Sequence, residues 1–473
     1  MGPLRRSHAA AAALVACLLG CGARPQPGPP AHDGPIVLLT LEGLRADAVG
    51  ALGGPPGLTP NLDRLAAQAD WVGRAVAPSS GLGPCLASLL TGLRPWQHQV
   101  AAPGSHAELP AGLLTLAEAL SDLGFSARGF HEASVVARGS GWGQGFSELA
   151  ALDRGERAFA ALEELAGERA FLWIHLAAPS LPYVRRDALA SRLGPLPPAL
   201  PLRRTAIDVE AFFDPATPLP APERERLLAL YRFNVAWADL GLGRLLRALE
   251  QSGQGESTLL AVASLYGQEF GEHGQVSSGA NLGRSGIEVP LLVKLPRGSG
   301  RRIAAPPGER VAALSLWATL VEAAGGSPPP GVAPSLFRRQ PGAVLSELLA
   351  RGGHNELSLL EGDLQLRWQR RFSDLDASFY PTRLASLRAP RGAPARRALR
   401  QLERRLDLAY RRSLPLTGPA TGAELRLERW TDGGVEAVDD PARARAMAAR
   451  LRRTFLLFVG AERTPEEEAL RRR

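Results

Sequence analysis

Cysteine, lysine and methionine are nearly missing from this chain: three Cys, two Met and, at position 294, the single lysine among 473 residues. Cys17 lies inside an apolar N-terminal run and Cys21 closes it, so Cys85 is the one thiol left for the folded body. That excludes a disulfide framework and leaves core packing to hold the fold. Positive charge is carried by arginine, and 55 basic against 47 acidic residues give a net charge of +8. The arginine-for-lysine bias reads first as coding composition. No nucleic-acid-binding motif accompanies the basic balance, so a nucleic-acid partner is not expected; anionic lipid or polysaccharide would suit it. Beyond the N-terminus no apolar run reaches the length of a bilayer span.

What is present begins with a secretory signal over residues 1–20. Arg5 and Arg6 form its basic start, an Ala/Leu/Val run follows, and Gly20 is a small-residue exit. Leu18-Leu19-Gly20-Cys21 resembles the bacterial lipobox, which implies lipidation of Cys21 and an anchor in the cell envelope, periplasmic or outer-membrane. Residues 21–34, rich in Pro and Gly, read as a flexible tether.

Two large units follow. Ile36 to Leu41 is a continuous β-rich run, as expected of a parallel strand buried on both faces, and Phe171 to Leu176 and Thr258 to Ser264 read the same way. Thr59-Pro60-Asn61-Leu62-Asp63 opens a helix, with Thr59 as its cap and Pro60 in the first turn. Leu227, Tyr231, Val235, Ala238, Leu242, Leu245 and Leu249 keep helical spacing along one buried stripe. The fold class is therefore α/β, a large, mostly parallel mixed sheet flanked by helices over residues 35–335. A small α+β unit is expected over 340–460, where Asp363 to Trp368 and Leu425 to Trp430 alternate as half-buried strands. Residues 195–222 read as a Pro-rich surface insertion and Arg383 to Arg412 as an exposed Arg-rich helix, with Leu399, Leu402, Leu406 and Tyr410 at helical spacing. Residues 461–473 read as a charged tail.

Gly81-Leu82-Gly83-Pro84-Cys85-Leu86 and Leu90-Thr91-Gly92 resemble the nucleophile segment of the sulfatase family, in the alkaline-phosphatase-like superfamily. Supporting motifs recur in order: Thr59 to Asp63, Arg94-Pro95-Trp96, Gly141 to Phe146, Glu269-Phe270-Gly271-Glu272-His273-Gly274 and Val289-Pro290-Leu291. The resemblance implies a metal-dependent ester hydrolase, and it also shows what this chain lacks. Leu82 stands at the nucleophile position and Leu86 at the arginine position. The four metal-ligand positions hold Glu42, Gly43, Leu265 and Tyr266. The segment that supplies an Asp and a His has Ala178 and Ser180. An alkyl side chain has no lone pair with which to attack sulfur or phosphorus.

Cys85 is three residues from the nucleophile position, but Ala87 and Leu89 occupy the offsets where conversion to formylglycine requires Pro and Arg. It reads as a buried packing residue, and His175 as a hydrogen-bonded core histidine. Lys294 falls in a framework strand. On this reading the chain is a degenerate sulfatase-like lipoprotein that binds a partner protein or a polyanionic glycan in a crest made more apolar by Leu82, Leu86, Leu265 and Tyr266, with no cofactor expected. The alternative is a hydrolase of sulfate esters or phosphoesters using calcium, Glu42, His175 and Cys85.

Overall fold

A computed structural model of the protein describes residues 31–458 except 101–107, 134, 137–140, 153–155, 165–166, 185–186, 195–218, 274–275, 280, 349–353, 372–422 and 433. The signal, Cys21, most of the Pro-rich insertion, the Arg-rich stretch and the charged tail lie outside the described residues. In chain order the strands are β1 (Ile36–Glu42), β2 (Trp71–Val76), β3 (Ser126–His131), β4 (Glu148–Ala151), β5 (Ala170–Pro179) and β6 (Leu259–Ser264). A short ribbon, β7 (Glu269–Phe270) and β8 (Val276–Ser277), precedes β9 (Glu288–Lys294) and β10 (Val311–Ala312). The large sheet runs β10-β2-β9-β6-β1-β5-β3-β4. Only β9 opposes its neighbours β2 and β6; every other pair is parallel. The mixed, mostly parallel sheet read from the sequence is therefore the observed one.

β1 sits between β5 and β6 at the centre, and its buried run follows from that place: helices cover both faces. The helices that matter here are α1 (Pro60–Ala66), α2 (Leu82–Thr91), α3 (Leu116–Asp122), α4 (Glu156–Glu164), α5 (Ala221–Gln251) and α6 (Ser315–Ala323). Side chains of a strand alternate between faces. Ile36 and Leu38 accordingly join the core under α2, α3 and α6, and Val37, Leu39 and Leu41 the core under α1, α4 and α5. Thr40 and Glu42 fall in the first register. Gly92 ends α2 at φ 69°, where a Cβ would lie 2.9 Å from the Trp317 ring of α6. Only glycine combines that turn with that approach.

The cap expected of Thr59 is made differently. Thr59 Oγ1 accepts from Gly50 N–H at 2.9 Å and caps nothing in α1. Asp239 of α5 supplies the cap instead, its carboxylate accepting from Asn61 N–H at 3.0 Å and Leu62 N–H at 2.8 Å. The orphan donors of the helix start are thus satisfied from a helix 178 positions away.

A second sheet, antiparallel throughout, contains β11 (Val344–Leu348), β12 (His354–Glu361), β13 (Leu364–Arg371), β14 (Ala423–Thr431) and β15 (Gly434–Ala437). The helix α7 (Pro441–Phe458) contributes Met447 and Leu451 to its own small core. This sheet grips two loops of the large unit. Ser346 Oγ donates to Ala77 O at 2.7 Å, Glu347 N–H to Pro78 O at 2.8 Å and Gln365 Nε2 to Leu282 O at 2.7 Å. Among the described residues no helix is long and apolar enough to cross a membrane.

Candidate functional site at the crest of the sheet

In an open α/β sheet, function resides at the carboxyl ends of the parallel strands. Here the ends of β1, β5 and β6 bring Glu42, His175, Ser180 and Tyr266 together. Glu42 ends β1 almost fully buried. Its Oε1 accepts from His175 Nε2 at 2.8 Å, and its Oε2 from the Tyr266 hydroxyl at 2.9 Å. Ser180 Oγ lies 3.2 Å from the same phenol oxygen. On the other side of His175, Nδ1 is 2.8 Å from Thr40 Oγ1, which in turn accepts from Trp173 Nε1–H at 2.9 Å. The result is one continuous chain of polar groups, Trp173, Thr40, His175, Glu42, Tyr266 and Ser180, threaded through the strand ends. Each carboxylate oxygen has its partner, as a buried carboxylate requires.

The phenol takes part as a donor. Burial, and after it the neighbouring Glu42 carboxylate, push Tyr266 well above the usual tyrosine range. Gly43, at φ 73°, leaves no room for a replacement ligand: a Cβ there would lie 3.0 Å from Gln268 Oε1 and 3.2 Å from Ser180 Cα. Gln268 is itself fully buried, and neither amide atom finds a partner among the described residues. Leu265 turns down into the core beneath α2.

These facts decide whether a hard cation fits. Calcium takes six to eight oxygens at about 2.3–2.6 Å. Of the four family ligand positions, Gly43 and Leu265 have no side-chain oxygen, Tyr266 presents a protonated phenol, and both oxygens of Glu42 hold other groups. Among the described residues no cluster of three or more His, Cys, Asp and Glu has ligand geometry. The residues present do not fit calcium.

Leu82 opens α2 directly after Gly81. Leu86 is fully buried in the core. Cys85, one turn in, is buried and donates from Sγ to Ser79 O at 3.1 Å; burial pushes its thiol far up, away from the thiolate that a nucleophile needs. Lys294 Nζ donates to Gly255 O at 2.6 Å, a framework contact.

The apolar crest expected from Leu82, Leu86, Leu265 and Tyr266 is not what forms. Leu86 and Leu265 point into the core, and the surface at the strand ends is the polar chain around Glu42. Sequence reading grouped Glu42 and His175 only in the alternative hydrolase site, with Cys85, and did not foresee that they bond directly. The signal that joins them is register, because Thr40 and His175 are paired across β1 and β5.

Sequence reading also missed an open polar cleft beside the crest. It encloses about 480 Å³ between the large unit and the β14–β15 turn. Four guanidinium groups line it, from Arg45, Arg74, Arg224 and Arg284, facing Asp47, Glu272, Glu288 and Asp432. Arg45 is fully engaged, donating to both Asp47 oxygens, Gln268 O and Glu272. Glu288 accepts from Arg74, Arg284 and Arg310 at 2.9, 2.8 and 2.7 Å. Burial alone would raise that carboxyl; the three cations outweigh it and hold it below the usual range. Arg224, about half exposed, comes no nearer a carboxylate among the described residues than 3.9 Å, from Glu272. At the cleft's edge Glu269 bonds His273 Nδ1 at 2.9 Å and, against the effect of burial, raises its pKa.

Residues 35–164 match the family model described as Sulfatase. No curated protein matches the chain by sequence. Solved structures with the same fold include a 2-O GAG sulfatase, 16% identical over 88% of this chain and 96% of that one, with a TM-score of 0.57. Others are the phosphonate monoester hydrolases of Silicibacter pomeroyi (17% identity, 86% and 99% covered, TM-score 0.53) and Agrobacterium radiobacter (16%, 86% and 100%, 0.53). By the family match over residues 35–164 and by its fold along the described chain, the protein is similar to the sulfatases.

Proposed function

We propose that this sulfatase-like chain is a binding protein of the bacterial cell envelope, tethered through Cys21, that does not hydrolyse sulfate or phosphate esters by the family's chemistry. The observation that carries the proposal is the commitment of Glu42: the one carboxylate left at the ligand positions accepts from His175 and Tyr266 and is closed off from solvent. With Leu82 at the nucleophile position and Cys85 buried as a thiol, the family's attacking group is missing, and the ligand positions lack the oxygen set that would hold a cation to polarise an ester. Binding then falls to the adjacent cleft. Its guanidinium and carboxylate groups are balanced, which suits a ligand rich in hydroxyl groups that both donate and accept. Arg224 is the cation best placed for an anionic substituent. The ligand is a glycan carrying sulfate or carboxylate groups.

The test measures turnover and binding on the same preparation. Hydrolysis of 4-nitrocatechol sulfate and of an aryl phosphonate in calcium buffer is expected to stay at the buffer rate. Binding to immobilised heparin is expected to be salt-sensitive and to weaken roughly threefold to tenfold in Arg224→Ala. Turnover that disappears in Cys85→Ala would overturn the proposal, as would heparin binding indifferent to Arg224.

A further inference from the structure

On the opposite face of the sheet from Glu42, between β1, β5, α4 and α5, lies a cavity of about 110 Å³ with no role in the crest or the cleft. Its floor is Leu39, Ile174 and Leu176; its roof is Trp237, Gly241 and Leu245 of α5; Phe159 of α4 closes one end. The cavity exists because four of its lining positions are small: Ala158, Ala178, Ala238 and Gly241. Gly241 is notable among them. It stands inside a 31-residue helix, where glycine is disfavoured, at an ordinary helical φ that does not require it. A Cβ there would meet Leu176 Cδ1 at 3.0 Å, at the cavity wall.

An apolar space of this size is poor lodging for water. It offers volume for several molecules, about 10–15 Å³ being enough for each, but few partners to hydrogen-bond them. Two charged groups mark the mouth, Glu132 and Arg244. Glu132 Oε2 accepts from Ala177 N–H at 2.9 Å, so that carboxylate is already engaged. Arg244 is exposed and has no carboxylate partner among the described residues. An apolar bore, open at one end, with an unengaged guanidinium at its opening has the complementarity of an anionic amphiphile.

We propose that this cavity binds a short-chain carboxylate, with an alkyl tail of roughly six to eight carbons seated between β5 and α5 and the carboxylate held by Arg244. The site is independent of the crest and of the glycan cleft. Its probes are straight-chain carboxylates from butanoate to dodecanoate, titrated calorimetrically against the full soluble domain. Affinity is expected to rise about fourfold per methylene up to roughly eight carbons and then level off as the tail outgrows the bore. Arg244→Ala should weaken octanoate several-fold while leaving octanol unchanged, and Gly241→Leu, which fills the bore, should abolish both. Ala178→Leu, at the partly exposed mouth, serves as a second filling variant if Gly241→Leu does not fold. Octanoate that fails to bind the native protein would overturn the proposal. So would undiminished binding by a folded filling variant, or affinity that keeps climbing through dodecanoate as at an open surface.

Discussion

Glu42 and Glu347 are buried carboxylates with opposite circumstances, and the contrast shows what fixes the crest. Glu42 has a donor on each oxygen. Glu347, in β11, accepts from Trp96 N–H through Oε2 at 3.0 Å, while its Oε1 has no partner among the described residues. Burial outweighs the nearby Arg94 guanidinium and raises the Glu347 carboxyl to about 7. A carboxyl that holds its proton more tightly when folded contributes stability that is complete below its unfolded pKa near 4.5 and lost as pH rises through about 7. Glu347→Gln removes that titration. Between pH 4 and pH 8 the variant should gain about 3 kcal/mol relative to the native protein, read from urea midpoints across the range; a constant difference at all pH values would contradict the assignment. None of this was legible in the sequence, where Glu347 is one acidic residue in an apolar stretch and its neighbour Arg94 lies 253 positions earlier. By contrast, that Leu82 and Leu265 carry neither oxygen nor thiol is read from the sequence alone and needs no coordinates.

At the scale of elements, the strands and long helices were readable because their periodicity is local: a buried run for β1, alternation for β13 and β14, and a spaced apolar stripe for α5. Contacts between elements were not. Thr59 has the chemistry of a cap and occupies the cap position, yet the carboxylate that caps α1 belongs to Asp239. Nothing in the local pattern announces that substitution, because Asp239 lies on the buried stripe of α5, where a carboxylate is out of place without a partner. Asp239→Ala should therefore cost about 1–2 kcal/mol by loss of the cap. The expected signature is increased hydrogen exchange at Asn61 and Leu62 with α5 itself unchanged. Exchange that increases equally along α5 would mean that the carboxylate serves its own helix rather than α1. The second sheet acts at this scale too, since its edge strand fixes the loop at Ala77 and Pro78 that leads into α2.

The whole molecule keeps the sulfatase fold while placing different chemistry at the ends of its strands. Motifs that hold the framework recur in sequence order, and the structure seats them as a single mixed sheet gripped at its crest by a smaller antiparallel one. Glu42, Gly43, Ser180 and Tyr266 meet where β1, β5 and β6 end, whereas Leu86 and Leu265 join the core and Ala178 lines the cavity on the opposite face. At those strand ends Glu42, His175, Tyr266 and Ser180 hydrogen-bond one another, and an open polar surface lies in the neighbouring cleft. Calcium binding, followed by titration calorimetry on the metal-stripped protein, tests this most directly, because a metal-assisted hydrolase and a closed hydrogen-bonded crest make opposite demands on Glu42. The account predicts no saturable uptake below millimolar calcium, both for the native chain and for Glu42→Gln. One calcium per chain at micromolar concentration, lost on Glu42→Gln, would contradict it.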